Sequence, residues 1–466
     1  FVNYIPHRNE EGFGFHKAAV DKLSRDGVTL IITVDVGTAD NETVQHAIEL
    51  GVDAIVTDHH LPNGTLPEAV AFLNPKQKGE TYPFSGLCGA GVAFKLAEAL
   101  LAKGRTSGKA WAQDVPEGWE KWLLDMVAIA TVADMVPLTG ENRVLAYYGL
   151  MVLRKSRRPG IAALCRKIRL SQSELSEDDI GFSIAPRINA ASRMDSPEDA
   201  FTLLATADVS EAENAAAKLD RINNHRKAHV AAIVRTLKGR FSDAELEAPV
   251  LVAGNPKWSP ALLGLAASSL VDTYQKPVCL WGREGTGTLK GSCRSDGSAN
   301  IVEMLEAAGE ALTQYGGHEH AGGFAVAKEA VHTLDSTLQE AYGRVATEKP
   351  ELTHEADAVV NGTPLASLFR FLLPLAPFGV GNAKPVFKFS GGLFETVRTF
   401  GKSDAHVELM VRFGGSEPFR CVRFFSSVEH FTRRPEVQKR ADILGTVERS
   451  TWNGASRIEV RVIDIV

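Results

Sequence analysis

The sequence predicts an α/β protein built from a parallel-sheet domain, a long connecting helix, a second α/β domain and a C-terminal OB-like β-barrel. Two short apolar runs, VTLIITVDV and VDAIVTD, flank a helical stretch near the start. A strand, a helix and a strand within about 30 residues form a βαβ unit, whose strands are parallel. Later, a helical stretch continues without glycine or proline until Gly239, and five runs with alternating apolar and polar residues fill the tail.

Length and composition limit the possible classes of protein. A chain of 466 residues is too long for one hydrophobic core, so about two to four domains are expected. The five cysteines form no C-x-x-C pair, so we expect neither a disulfide framework nor a cysteine zinc site, and a reducing compartment such as the cytoplasm fits best. No signal peptide or membrane-spanning apolar run is recognisable. The net charge of −6 excludes a uniformly basic nucleic-acid binder but allows a local basic groove.

Changes in the residue pattern predict the domain boundaries. The long helix is expected over residues 210–241, with Ser210 and Glu213 in capping-box register at its start. In the tail the alternative to a Greek-key barrel is a β-sandwich. The predicted regions are the parallel-sheet domain at 1–145, the helical region at 146–245, the second α/β domain at 246–347 and the OB-like domain at 348–466.

Acidic and imidazole side chains follow the predicted strands of the βαβ unit. Asp35 and Asp58 each come directly after one strand, and the carboxyl ends of parallel strands meet at the edge where such sheets bind ligands. His59 and His60 follow Asp58, and Asp134 lies at the exit of an apolar helix. Carboxylates and imidazoles without thiolates suit Mn²⁺ or Mg²⁺ better than structural zinc. We therefore predict a divalent metal site; the alternative is that Asp58 caps a turn and the histidines are surface residues.

Several stretches resemble motifs of the DHH phosphoesterases and, among them, of the RecJ single-strand exonucleases. TVDVGTAD, VTDHHLP and ATVADMVPL are similar to three DHH motifs. PRINAASRM, KGSCRSDG and GGHEHAGGF resemble motifs of RecJ and of its DHH-associated domain, and PFGVGNAKPVF resembles the start of the RecJ OB domain. The opening YIPHRNEEGFG resembles the stretch before the first of these motifs. The resemblance covers nearly the whole chain in the right order.

The resemblance implies roles for the predicted metal-site residues. Asp35 matches a carboxylate that bridges two metal ions in the family, and His59 and Asp134 match ligands of the second ion. His60 matches the histidine that faces the phosphate, and Asp58 is expected to orient its neighbours, so these two are the catalytic candidates. Two metal ions about 4 Å apart would activate a water and hold both oxygens of an in-line displacement.

The resemblance also implies a surface that binds a 5′ phosphate and a single-stranded backbone. Guanidinium groups and the amides of glycine-rich turns bind phosphate well. Arg193 and Arg294 match family positions near the 5′ phosphate, although either alone would be interpreted as a surface residue. Trp258 either stacks a nucleobase or belongs to the core, and Ser259 beside it stands where related chains usually have histidine. The candidate substrate-binding residues are Arg8, Asn189, Arg193, Trp258, Ser292, Arg294 and His318.

The function implied by the resemblance is a single-stranded-DNA-specific 5′→3′ exonuclease in DNA repair and recombination that uses Mn²⁺ or Mg²⁺. Single-stranded DNA is the expected partner, and a single-strand-binding protein is a further candidate. One alternative is a DHH phosphodiesterase acting on short oligoribonucleotides or cyclic dinucleotides, against which the OB-like tail argues. The other is a degenerate, non-catalytic DNA-binding homologue, against which the retained Asp35, His59, His60 and Asp134 argue. Neither G-x-S-x-G nor G-x-x-x-x-G-K-[ST] occurs in the sequence.

One family motif is missing from the sequence. A D-x-D-G stretch, to which the resemblance assigns ligands of the other metal ion, should precede the opening segment and does not occur. The chain is therefore expected to complete at most one metal site. Because it begins with Phe1 rather than methionine, we expect a fragment of a nuclease, with true loss of the motif as the alternative.

Overall fold

The structure of the chain is a computed structural model that describes residues 1–7, 11–12, 14–62, 64–283, 287–348, 355–401, 404–414, 417–452 and 455–466. It is a mixed α/β structure, as the sequence predicts, with separate sheets in the N-terminal, second α/β and C-terminal regions. No helix in the described part of the chain combines the length and the hydropathy that a bilayer crossing needs. The predicted domain boundaries stay predictions.

The N-terminal region is a parallel sheet in the order β1-β2-β3. Val34 at the end of β1 pairs with Thr57 at the end of β2, so the residues that follow both strands leave the sheet at one edge. The predicted βαβ unit is thus confirmed. Strand β1 is buried on one face only. It is an edge strand whose Ile31 face packs on the core while Leu30 and Ile32 are about half exposed. The elements are α1 Lys17–Arg25, β1 Leu30–Val34, α2 Asn41–Glu49, β2 Asp53–Thr57 and β3 Ala71–Leu73.

Helices make up the middle of the chain, and the predicted apolar helix is α5, which ends at the residue before Asp134. A π-helical turn at Ile180–Ile184 joins α8 to α9. The helices are α3 Gly89–Thr106, α4 Ala110–Gln113, α5 Leu124–Ala133, α6 Gly140–Leu153, α7 Pro159–Ile168, α8 Glu177–Asp179, α9 Ala185–Met194, α10 Glu198–Ala205, α11 Val209–Lys238 and α12 Asp243–Glu247.

The long helix α11 is continuous over 30 residues, about 45 Å at 1.5 Å per residue. Its N-terminal half packs in the helical core through residues such as Leu219, and its C-terminal half packs in the next core through Leu237. The predicted capping box was wrong. Asp208 is the N-cap, because its side chain accepts a hydrogen bond from the Glu211 N–H at 2.7 Å, so Ser210 already lies inside the helix.

The second α/β region has a five-stranded sheet in the order β4-β5-β6-β8-β7. GGHEHAGGF forms the end of β7, the turn and the start of β8, with Gly316 opposite Gly323. The cysteine count did not predict a single cross-strand bond: Cys279 and Cys293 lie opposite each other on β5 and β6 and are disulfide-bonded. The elements are β4 Leu251–Gly254, α13 Pro260–Tyr274, β5 Val278–Arg283, β6 Leu289–Arg294, α14 Ile301–Ala307, β7 Leu312–His318, β8 Ala321–Val326 and α15 Leu334–Val345.

The C-terminal region contains all five strands that the alternating pattern predicts. Its sheet runs β11-β12-β14-β13-β10-β9, and because β10 also pairs with β11, five of the strands pair in a closed cycle around Phe389 and Phe394. The elements are β9 Ala358–Val360, α16 Leu365–Leu372, β10 Phe387–Phe400, β11 His406–Arg412, β12 Phe419–Phe424, β13 Arg440–Trp452 and β14 Ala455–Ile465.

Candidate functional site

The carboxyl edge of the N-terminal sheet brings the predicted metal ligands together. Asp35 follows β1, Asp58 to His60 follow β2, and Asp134 is the C-cap of α5. His59 Nε2 lies 3.0 Å from Asp35 Oδ1 and 3.5 Å from Asp134 Oδ2. Ligand atoms of Asp35, His59 and His60 lie within 4.8 Å of one another. The register of the two strands therefore brings Asp35, His59 and His60 together, and the end of α5 places Asp134 against His59, outside that group of three.

The chemistry of this cluster fits a divalent cation. The side chains of Asp35 and Asp134 are 55% and 42% exposed, whereas the His59 side chain between them is 9% exposed. Burial raises the pKa of the Asp134 carboxyl; His59 opposes that rise, and the neighbouring Asp35 carboxylate adds to it. The two carboxylates beside His59 Nε2 and the imidazole itself are oxygen and nitrogen donors of the kind that hold Mn²⁺ or Mg²⁺.

The Asp58 carboxylate is not one of the candidate metal ligands, but it holds neighbouring residues in place through hydrogen bonds. Its buried carboxylate accepts hydrogen bonds from the Thr38 N–H at 2.9 Å, the His59 N–H at 2.7 Å and His60 Nδ1 at 2.7 Å. Burial raises the pKa of Asp58, but these hydrogen bonds outweigh it, so the pKa lies well below its usual range. The bond to Asp58 in turn raises the pKa of the exposed His60 ring and fixes its orientation.

Sequence reasoning missed three residues that support the site: Thr38, Asn74 and Gly89. Buried Asn74 donates from Nδ2 to Thr38 Oγ1 and to the His60 carbonyl, both at 2.9 Å, and so ties the two strand-end loops together. Gly89 begins α3 against Asp35: a Cβ there would lie 2.4 Å from Asp35 Oδ1. Asp35 itself has a left-handed backbone with φ of 66°, which Asp tolerates better than most residues. The glycine that starts α3 was the visible signal, but only the fold shows what approaches it.

A cluster of guanidinium groups lies apart from the acidic edge. Arg193 on α9 donates from Nη1 to the Ala261 carbonyl at 3.1 Å, and Arg294 at the end of β6 donates from Nη1 to Ser292 Oγ at 3.0 Å. Burial lowers the pKa of Arg193, Arg226 and Arg294, and Arg193 lowers that of the other two further. In the described part of the chain none of the three forms a salt bridge with a carboxylate. Partly buried cations without counterions favour an anionic ligand.

Two cavities flank the hydrogen bond between Arg193 and Ala261. The basic cavity, about 790 Å³, is lined by Ala261, Ser292, Arg294 and the glycine-rich faces of β6, β7 and β8. A Cβ at Gly264 would lie 2.5 Å from Arg294 Nη2, so this glycine lets the guanidinium lie against α13. The central cavity, about 1000 Å³, is lined by Asn189, Arg193, Arg226, the end of α5 with the segment after it, the acidic helix α8, and parts of the C-terminal region between residues 378 and 384 and on β13 and β14.

The remaining candidates lie elsewhere. Trp258 is half-buried against the core around α13, which supports its core interpretation. His318 is exposed at the end of β7, beside Gly317 of the basic cavity but not in its lining. Arg8 lies outside the described residues. In the C-terminal region Arg420 is paired with Glu408 and Glu459, so it is not available as a phosphate ligand without breaking those pairs.

Known families match the chain along most of its length. The DHH family N-terminal domain matches residues 1–131, the DHHA1 domain residues 247–344 and the RecJ OB domain residues 364–464. The single-stranded-DNA-specific exonuclease RecJ of Salmonella typhimurium is 32% identical over 430 residues, which cover 89% of this chain and 73% of that protein. The chain belongs to the RecJ family.

Other RecJ proteins extend the match. RecJ of Bacillus subtilis is 35% identical over 471 residues, which cover 99% of this chain but 57% of that protein. The crystal structure of RecJ from Thermus thermophilus in complex with Mn²⁺ has a TM-score of 0.76 at 29% identity and covers 97% of this chain and 63% of that one. A crystal structure of exonuclease RecJ bound to manganese has a TM-score of 0.59 at 32% identity. The chain thus spans a little over half the length of the Bacillus RecJ.

In this RecJ-family chain, replacing Asp58 with asparagine should destabilise the fold by about 1–3 kcal/mol. Three donors surround the carboxylate, and an amide would turn its own N–H groups towards one of them. Because the folded pKa of Asp58 lies below its unfolded value of about 3.9, the carboxylate stabilises the fold above that pH and loses this contribution as the pH falls. Urea unfolding at neutral pH measures the loss. Asp53→Asn, at the exposed start of β2, is the control, and equal free energies of unfolding for the two variants would contradict the prediction.

Proposed function

We propose that this chain forms a metal site and the DNA-binding surface of a single-stranded-DNA-specific 5′→3′ exonuclease. The observation that carries the proposal is that Asp35 and Asp134 both approach His59 Nε2, while arginines without a carboxylate partner among the described residues line two cavities. The known relatives of the chain, including the Salmonella protein that it covers to 73%, are named single-stranded-DNA-specific exonucleases. The RecJ crystal structures with Mn²⁺ and Mg²⁺ support those two ions as the cofactors.

The protein groups divide into ligands and supports. Asp35, His59 and Asp134 would hold the ion, which supplies an activated water and neutralises charge on the phosphate when bound. His60, whose ring is held by Asp58, would face the scissile phosphate and bind one of its oxygens. Asp58 would act by fixing the ring of His60 and by holding the backbone N–H of His59.

The basic residues would bind the strand itself. Arg294 and Ser292 in the basic cavity suit the doubly charged 5′ phosphate, and Arg193 lies between that cavity and the central one. Asn189 and Arg193 would contact the backbone of the following nucleotides in the central cavity. Contacts between charged side chains and phosphates are independent of the base sequence and release counterions. Binding should therefore weaken as the salt concentration rises.

The cellular setting is also a proposal. Degradation from a 5′ end suits DNA repair and recombination in the cytoplasm, where single-stranded DNA is coated. A single-strand-binding protein is therefore a candidate partner, and the region that matches the RecJ OB domain would add a surface for unpaired nucleotides.

The test compares this chain with the same chain preceded by a segment that carries a D-x-D-G motif. Each is given Mn²⁺ and a 5′-phosphorylated oligonucleotide labelled at either end. We expect the extended form to release mononucleotides from the 5′ end of single strands but not of duplexes, and chelation to stop it. The form without a D-x-D-G motif should bind the strand and cleave it little, because the resemblance assigns ligands of one ion to that motif.

The other outcomes separate the alternatives. Tight binding of DNA without cleavage by either form would indicate a non-catalytic homologue. Faster hydrolysis of dinucleotides or cyclic dinucleotides than of long DNA would indicate a DHH phosphodiesterase of the other class.

A further inference from the structure

One loop of the C-terminal region contacts the segment that carries Asp134. This bracing loop comprises residues 377–382, PFGVGN. The Leu138 N–H donates to the Val380 carbonyl at 2.6 Å, and the Phe378 N–H donates to Glu177 Oε1 at 3.0 Å. Leu138 lies four residues after Asp134, so a part of the chain distant in sequence contacts the backbone next to a proposed metal ligand.

The contact is close because the loop has glycines where it meets the segment. A Cβ at Gly379 would lie 2.9 Å from Leu138 Cδ1, and a Cβ at Gly381 would lie 3.0 Å from Thr139 Cγ2 and 3.4 Å from Pro137 Cβ. Leu138 is buried. A side chain at Gly379 would therefore push against the buried Leu138 side chain, and one at Gly381 would require Thr139 and Pro137 to give by a few tenths of an ångström.

The segment between α5 and α6 has few other restraints. Met135, directly after Asp134, is exposed and has a left-handed backbone with φ of 58°. Asn142 of α6 donates to the Pro137 carbonyl at 3.0 Å. Among the described residues, the bond from Leu138 to Val380 is the backbone hydrogen bond that ties residues 135–139 to anything outside α5 and α6. The bracing loop is thus a main restraint on the path of the chain after Asp134.

The loop is rigid enough to act as a restraint. Asn382 donates from Nδ2 to the Pro377 carbonyl at 2.7 Å, and Gly379 and Asn382 exchange two backbone hydrogen bonds at 2.9 and 3.1 Å. Arg143 of α6 also donates to the Leu375 carbonyl at 2.9 Å, just before the loop. The loop therefore holds its own shape and is anchored to the helix that follows the Asp134 segment.

We propose that the bracing loop is a positioning element for Asp134, so that the C-terminal region sets the affinity of the metal site. The inference rests on the proposed metal site and adds a distant segment to it. The central cavity is lined by Phe378, Gly379 and Val380 of the bracing loop and by Val136 and Leu138 of the segment after Asp134. A DNA strand in that cavity would therefore contact both the loop and the segment.

The experiment measures Mn²⁺ affinity of the whole chain by electron paramagnetic resonance. Gly381→Ala should weaken Mn²⁺ binding about tenfold, the lower end of what outer partners of metal ligands contribute. Gly362→Ala is the matched control: Gly362 has φ of 70° against 74° for Gly381, so both substitutions strain the backbone alike, but a Cβ at Gly362 meets nothing within 4 Å. The control should bind Mn²⁺ as the unmodified chain does.

A double-mutant cycle identifies the residue through which the loop acts. In an Asp134→Asn background, Gly381→Ala should have no further effect, because interacting residues are not additive. Thermal unfolding of each variant checks that the chain is folded. Equal Mn²⁺ affinities for Gly381→Ala and Gly362→Ala, or an undiminished effect in the Asp134→Asn background, would overturn the inference alone. If the unmodified chain does not bind Mn²⁺, both the inference and the proposed metal site fail.

Discussion

Replacing Asp35 with asparagine should lower the affinity of the chain for Mn²⁺ by more than about 100-fold, the upper range for residues that merely support metal ligands. Asparagine, like aspartate, adopts the left-handed backbone that Asp35 has, so the change removes the charge and keeps the path of the chain. It also has the size of aspartate, so it fits the space beside Gly89 that the missing Cβ leaves for the Asp35 side chain. Titration of Mn²⁺ followed by electron paramagnetic resonance gives the dissociation constants.

Asp404→Asn is a suitable control for this variant. Asp404 is also a left-handed aspartate, with φ of 52°, and it is exposed in the C-terminal region, far along the chain from the cluster. Its replacement should leave Mn²⁺ binding unchanged. If Asp35→Asn binds Mn²⁺ as tightly as Asp404→Asn does, Asp35 is not a ligand and the proposed centre is wrong.

Replacing Arg294 with alanine should remove the preference for 5′-phosphorylated over 5′-hydroxyl single strands. Hydrogen bonds to charged groups contribute about 1.5–3 kcal/mol, so the preference should fall by about tenfold to a hundredfold. The guanidinium is held by Ser292 and lines the basic cavity, where the described residues offer it no carboxylate partner. Fluorescence anisotropy with two oligonucleotides that differ only in the 5′ group measures the preference.

Two further variants sharpen the Arg294 result. Arg294→Lys should keep part of the affinity but lose selectivity, since lysine is a point charge without the paired donors of arginine. Arg344→Ala, which removes an exposed arginine of α15 from the same region, should change neither. A loss of affinity in Arg294→Ala that is the same for both oligonucleotides would assign Arg294 to the backbone rather than to the 5′ end.

The closeness of Asp35 and His59 was predictable from sequence because it follows from general geometry, whereas the ligand role of Asp134 was implied only by the resemblance to the DHH motifs. Parallel strands end at one edge, so side chains that follow each strand must be neighbours, whatever the details of the loops. The capping position of Asp134 followed from the apolar run that precedes it. These inferences need only the type and order of elements.

The supports of the site were not predictable because they depend on contacts between segments with no common pattern. Asn74 reaches Thr38 and the His60 carbonyl only after three loops have folded together. The exposed face of β1 reflects its place at the edge of the sheet, which the run VTLIITVDV does not reveal. The glycines of β7 and β8 carry no alternation of side chains, so the hairpin that they form has the composition of a loop.

The long helix α11 belongs to two cores at once, since Leu219 lies in one and Leu237 in the other. The helical core, which also contains Ala128 and Ile129 of α5, and the core around α13 therefore keep a fixed separation unless α11 bends or unfolds. A DNA strand that crosses from one core to the other would meet surfaces whose relative position is already set, so little conformational entropy would be lost when it binds.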